Sequence, residues 1–319
     1  MPDSRLPAGP PPGSAGAGRH PAGEAGGAAL VLLSAAGFGA MAIFGKLAYD
    51  AGVSTLTLLF VRFVLAATIF GAIVAARPAL GPRGSGRRAI GIGLALGAVG
   101  YAAQSGLFFG ALQRMDASLL ALLLYTYPAW VTLGAVALGR ERLSGRRLAA
   151  LGLASGGLAI VLAGAASGSF DAAGAAMGLG ASLAYTVYIL VADRTGLVMP
   201  ALGLSGLVCA GAAATFGVVG LAAGQLDFGF QAEGWIWLAL MAVVSTTVAI
   251  VAFFAGLARV GPSAAAILST FEPVVTVALA FAVFGEQLSP LQLCGAALVL
   301  AAAVLLSAPR RVAEPVPPA

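Results

Sequence analysis

The chain has 319 residues, of which 60% are hydrophobic and only 9% charged, with 45 glycines and a formal net charge of +5. Soluble domains carry about a quarter charged residues, so this composition excludes a water-soluble globular core. The positive balance comes from arginines scattered between apolar runs, which excludes nucleic acid as the partner and leaves the lipid bilayer.

The opening stretch MPDSRLPAGPPPGSAGAGRHPAGEAG is Pro/Gly-rich and lacks apolar periodicity, so residues 1–27 read as a disordered cytoplasmic tail. It is not a signal peptide, because the apolar run behind it is too long and starts too late. His20, the only histidine, lies in this tail.

Crossing a hydrocarbon core takes about 20 helical residues. Ten runs qualify, roughly at 28–48, 55–76, 89–112, 117–138, 147–165, 173–192, 199–223, 233–257, 263–284 and 290–307. The fold class is therefore an all-α polytopic membrane protein with ten transmembrane helices. Residues 308–319 form a second tail. Cys209 and Cys294 fall in different helices as small apolar fillers, with no disulfide expected.

With the N-terminus inside, every basic residue except Lys46, Arg62 and Arg114 falls in the tails or in inner loops. The outer segments hold Asp50, Asp116, Asp171, Asp227, Glu233 and Glu286. Lys and Arg accumulate on the cytoplasmic side, so both termini are read as cytoplasmic, in a multi-pass protein of the plasma membrane (the bacterial inner membrane).

Shifting the sequence by 145 residues, so that Ala111 falls on Gly256, aligns Arg114 with Arg259, Ser118 with Ser263, and Pro128 with Pro273. Glu141, Leu143 and Ser144 then meet Glu286, Leu288 and Ser289, and Phe108-Phe109 meets Phe253-Phe254. Such scarce residues do not coincide by composition, so residues 28–165 and 171–307 are two copies of one five-helix unit. Five is odd, so the second copy enters the membrane from the opposite side. Inverted repeats of this kind build alternating-access transporters, with the substrate between the halves near mid-depth.

The segments EPVVTVALAFAVFGEQLSPLQLCGAALVLAAAVLL and YPAWVTLGAVALGRERLSGRRLAALGLASGGLAIVL resemble the paired EamA domains of the drug/metabolite transporter superfamily. In that family the fourth and ninth helices carry a proline and end in Gly-Glu-x-Leu before a glycine-containing closing helix. Two departures are an arginine inside Gly139-Arg140-Glu141 and Phe38-Gly39 where the family usually has Trp-Gly. The resemblance implies secondary transport of a small metabolite such as an amino acid or drug-like solute, with export the commoner direction.

Glu141 and Glu286 occur in both copies and precede Leu-Ser, so they read as capping or loop-fixing groups. Glu272 and Arg62 differ, because their repeat mates are Tyr127 and Leu207 and the fold needs no charge there. By residue count Arg62 lies ~10 Å and Glu272 ~18 Å below the outer face, close enough in depth for a pair. Two readings stay open for each. Glu272 is a coupling or binding group, or it supports the backbone opened by Pro273. Arg62 is its partner, or it snorkels outward or caps carbonyls. Lys46 reads as a snorkelling anchor.

Pro128 and Pro273 should kink the fourth and ninth helices, and carbonyls freed at mid-membrane are tolerated where they line a cavity. Candidate substrate-binding residues gather around these kinks. They are Tyr125 and Tyr127 on helix four, Ser269 and Glu272 on helix nine, Tyr101, Gln104 and Ser105 on helix three, Tyr185 and Tyr188 on helix six, and Thr246 and Thr247 on helix eight. Aromatic walls with few polar groups suit a small, partly apolar solute. The pairs Gly93/Gly97, Gly152/Gly156 and Gly174/Gly178 permit close helix approach.

No metalloprotease, P-loop or nucleophile-elbow motif is present, so no enzyme activity, metal or cofactor is expected and transport is not driven by ATP. Proton coupling stays open through Glu272. The alternatives are a membrane scaffold or sensor, or an intramembrane enzyme using Glu272. The composition is silent on oligomeric state.

Overall fold

A computed structural model describes residues 21–82, 84–139, 144–165, 171–194 and 199–307. Among the described residues ten long helices follow one another: α1 (Glu24–Asp50), α2 (Thr55–Ala76), α3 (Arg87–Leu112), α4 (Ala117–Ala137), α5 (Gly145–Ala163), α6 (Ala172–Asp193), α7 (Ala201–Ala222), α8 (Glu233–Val260), α9 (Ala264–Phe284) and α10 (Pro290–Leu306). The first nine are long and apolar enough to span a membrane, and α10 is a shorter apolar helix. Val99, Leu148, Val218 and Leu221 are each more than half exposed on the outer faces. That exposure is costly in water and costless against acyl chains.

Helical structure begins at Pro21, seven residues before the apolar run that marks α1 in the sequence. Packing extends it: at Gly27 a Cβ would meet the Arg259 and Val260 side chains at under 3 Å, and Gly256 lies against the Gly27 carbonyl. This tertiary contact overrides the glycine-rich, non-periodic composition of residues 21–27.

The pattern of neighbours carries the two-fold relation between the halves. α1 packs on α8 and α9, and their counterparts α6 and α3, α6 and α4, pack likewise. α2 packs on α7, and α5 on α10, each pair mapping onto itself when the repeats are exchanged. The two five-helix units therefore interlock rather than lying side by side. The self-paired helices run through glycine contacts. A Cβ on Gly157 would stand 2.7 Å from the Gly295 carbonyl, whereas Gly152 and Gly156 face open space. In the α3–α7 contact a Cβ on Gly97 would come within 2.0 Å of the Val208 carbonyl oxygen. Only glycine fits there.

Three features of the helix interiors position the site. α4 is interrupted between Leu124 and Tyr127, and α9 at Thr270, the equivalent point of the other copy. α1 is interrupted at Ala40. α3 and α8, equivalent helices, each contain a π-helical turn, at Leu96–Tyr101 and Val243–Val248. The prolines explain the first feature. Pro273 has no N–H to bond the carbonyl four residues back, which is that of Ser269, and Pro128 does the same to Leu124. The π-turns carry no sequence signal as strong, and periodicity does not reveal them.

Lys46 is not a snorkelling anchor. It lies four-fifths buried, and its Nζ donates to Glu286 Oε1 at 2.6 Å. Glu286, on the α9–α10 connection, also takes the Ala117 N–H at 3.1 Å, the Ser118 N–H at 3.0 Å and the Ser118 hydroxyl at 2.8 Å. It thus caps the start of α4, in the other repeat, rather than the helix that follows it. The capping expectation for Glu286 holds with a different recipient; Glu141 lies outside the described residues. Gly285, left-handed at φ 69°, lets α9 turn so that this side chain reaches across. Burial pushes the Glu286 carboxyl up, but hydrogen bonds from Lys46 and Ser118 outweigh it and hold it below the ordinary value. Burial and the Glu286 charge push neighbouring Asp116 up.

Candidate functional site

The two broken helices meet. The Tyr125 hydroxyl, at the α4 interruption, donates to the Ser269 carbonyl, the group that Pro273 leaves without its helical donor. The same hydroxyl lies 3.3 Å from Glu272 Oε2. Thr276 donates to the Gly39 carbonyl at 3.0 Å, and α1 lies so close to this turn that a Cβ on Gly39 would be 2.8 Å from the Glu272 carbonyl. Glu272 is therefore held on a turn fixed by α1 and α4.

A cavity of about 720 Å³ opens beside these breaks. It runs from mid-depth to the end of the bundle where α7 begins and α10 finishes, reaching Met199 and Leu306. Toward the other end it stops at Phe109 and Ala121, short of the Lys46–Glu286 tie. Of the residues expected from the sequence, Tyr101, Gln104, Ser105, Tyr125, Tyr127, Tyr185, Tyr188, Ser269 and Glu272 all line it. So do Pro128, Pro273 and Arg62. Thr246 and Thr247 do not reach it. Both are buried, and the π-turn directs their hydroxyls to the carbonyls five residues back, Met241 and Ala242, at 2.9 Å each.

The tyrosines form one continuous arc. Ring centroids step from Tyr125 to Tyr127 at 5.9 Å, to Tyr185 at 4.9 Å, to Tyr188 at 6.0 Å, to Tyr101 at 5.7 Å and on to Phe63 at 5.6 Å. Each step lies in the range where aromatic pairs attract. One end of the arc holds Glu272 through Tyr125, and the other holds Arg62.

Arg62 neither snorkels nor caps a helix. It is 1% exposed, its Nε donates to Thr246 Oγ1 at 3.0 Å, and its guanidinium lies 4.8 Å from the Phe63 ring and 5.5 Å from that of Phe109. No ion pair joins it to Glu272 among the described residues. The two charges share the cavity from separate positions along its wall.

Sequence reasoning missed the contributions of α1, α7 and α10, such as Met41, Val208 and Ala303. Their small and apolar side chains carry no distinguishing signal. One signal was available. Phe108-Phe109 and Phe253-Phe254, matched in the repeat, both line the cavity, and each pair stacks edge to face.

The EamA-like transporter family matches residues 25–163 and 172–308, one match to each repeat. A protein of Archaeoglobus fulgidus described as an uncharacterized transporter is 28% identical over 286 residues, covering 88% of this chain and 95% of the relative. A solved crystal structure superposes with a TM-score of 0.57 over 86% of this chain and 95% of its own, at 19% identity, a likeness of fold.

Proposed function

The chain belongs to the EamA-like transporter family, and from that premise we propose that it is a secondary transporter which moves a small, partly apolar metabolite across the membrane by alternating access, acting as an exporter. The observation that carries this reading is the cavity between the two interlocked repeats, reaching one end of the bundle and closed at the other by the Glu286 tie. Two inverted copies of one unit supply two such end closures, which can alternate by rocking of the halves around a fixed site. Glu272 is the coupling or cation-recognising group of that site. With the termini cytoplasmic, the orientation that the arginine distribution supports, the cavity faces the cytoplasm, the side from which an exporter loads.

Solute flux in liposomes containing the purified protein tests this reading. Flux supports a carrier, product formation from the solute an intramembrane enzyme, and neither a scaffold or sensor. The orientation has its own measurement. Reporter fusions after Gly81 and after Asp171 are expected to report opposite sides, cytoplasmic for the first, and the same side for both would overturn the topology.

Cavity access is tested with single cysteines in a background where Cys209, which lines the cavity, and Cys294, exposed on α10, are replaced. Cysteines at Gln104, Tyr127 and Ser269 are expected to react with small water-soluble thiol reagents about tenfold or more faster than one at Thr247, since only a hydrated cavity supports the thiolate. Equal inertness at all four positions would mean that these faces are dry packing.

A further inference from the structure

A guanidinium in a membrane interior costs several kcal/mol unless its charge and its donors are met. Around Arg62 the described residues supply neutral partners: the Thr246 hydroxyl, the faces of Phe63 and Phe109, and the phenol of Tyr101 beside it. No carboxylate pairs with it among the described residues, although Glu272 borders the same cavity. The fold does not demand the charge, because the equivalent position of the other repeat is Leu207. Yet the surroundings hold it in place. The π-turn of α8 sends the Thr246 hydroxyl proton to the Met241 carbonyl, so the oxygen's lone pairs remain for Arg62 Nε. With Nε fixed there, the guanidinium is held beside Tyr101 at the border of the cavity, and a planar fork held at one nitrogen has little freedom to turn.

The geometry points to Arg62 as the anion anchor of the transport site, so that the transported solute carries a carboxylate on an apolar body. The carboxylate completes the guanidinium's hydrogen bonds, and the tyrosine arc between Arg62 and Glu272 takes the apolar part. Thr246 is a positioning residue, acting through Arg62. This inference rests on the transporter reading for its physiological meaning, but binding alone tests it.

The measurement is the melting temperature of the full-length detergent-purified protein with two matched series. One is phenylalanine, 3-phenylpropionate and phenylalaninamide; the other is leucine, 4-methylpentanoate and leucinamide. A ligand of the native state raises the melting temperature by mass action. At least one carboxylate-bearing member is expected to raise it, with its amide ineffective. Arg62→Gln is expected to weaken that ligand by about tenfold or more, the scale of a lost hydrogen bond to a charged group. Thr246→Val, of similar shape, should weaken it by a smaller factor.

Amides binding as well as acids, Arg62→Gln binding with unchanged affinity, or no member of either series binding would each overturn the anchor. Where Arg62→Gln fails to fold, Arg62→Lys and Thr246→Val carry the test. Unchanged carboxylate affinity in both overturns it as well. Failure of the transporter reading looks different: a carboxylate-selective ligand that liposomes containing the protein do not move leaves the anchor standing, while flux of a solute without a carboxylate removes the anchor and keeps the carrier.

Discussion

Glu272→Gln is expected to leave the protein folded and to lower transport about tenfold or more, with loss of its dependence on a proton gradient or on a cationic group in the solute. The carboxylate is half-buried at the cavity wall, and the Tyr125 hydroxyl, whose proton goes to the Ser269 carbonyl, lies 3.3 Å from it, a contact that an amide of the same shape can keep. Stability therefore changes little, while the only acid lining the cavity among the described residues is gone. A group placed there can hold a proton when the site faces one side and release it on the other, and the amide cannot. Flux measured between about pH 5 and pH 8 distinguishes the roles. A variant that transports normally across this range, with unchanged selectivity, would make Glu272 a structural support for the Pro273 turn.

The second large effect lies at the other end of the bundle and has the opposite character. Glu286→Gln is expected to lower stability by about 2–3 kcal/mol, somewhat below the loss for breaking a fully buried pair because Lys46 is one-fifth exposed. The variant leaves the Lys46 ammonium with the exposed Asp116 carboxylate at 3.9 Å and the Phe284 ring, 5.4 Å from its centroid, and weakens the cap on α4. The dependence on pH follows from the depressed carboxyl. A group held below its unfolded value stabilises fully above the ordinary carboxylate range, near pH ~4.3, and loses that contribution as pH falls through its folded value. Wild type and variant should thus differ in melting temperature at neutral pH and converge in strong acid. A constant difference at every pH would assign the effect to packing rather than to charge.

The membrane class, the ten helices and the doubled unit were legible because each rests on something that sequence states directly. Apolar run length gives the spans, and scarce residues such as Arg114/Arg259 and Pro128/Pro273 give the repeat. The prolines also located the interruptions of α4 and α9 and, through them, nine of the eleven expected wall residues. What failed was azimuth. Residue counting placed Arg62 and Glu272 at compatible depths, but depth says nothing of which way a side chain leaves its helix. The two exceptions, Thr246 and Thr247, were misplaced for the same reason, since an extra residue in the π-turn changes the angle at which everything around it projects. Lys46 and Glu286 are 240 positions apart, and no local pattern announces that they meet.

That meeting has a consequence for how the carrier divides its time. Two perfectly equivalent halves would make the two orientations of an empty carrier equal in energy, each populated half the time. Carried back along the chain, the same 145-residue shift places Val191 opposite Lys46, so the lysine itself is not duplicated. If the lysine's tie favours one orientation by about 1.4 kcal/mol, roughly nine-tenths of unloaded molecules wait with the Glu286 end shut. A solute arriving at that end meets a binding-competent site only a tenth of the time, and its apparent affinity there is weaker by the same factor. A symmetric fold would in this way acquire sidedness from a single unduplicated lysine.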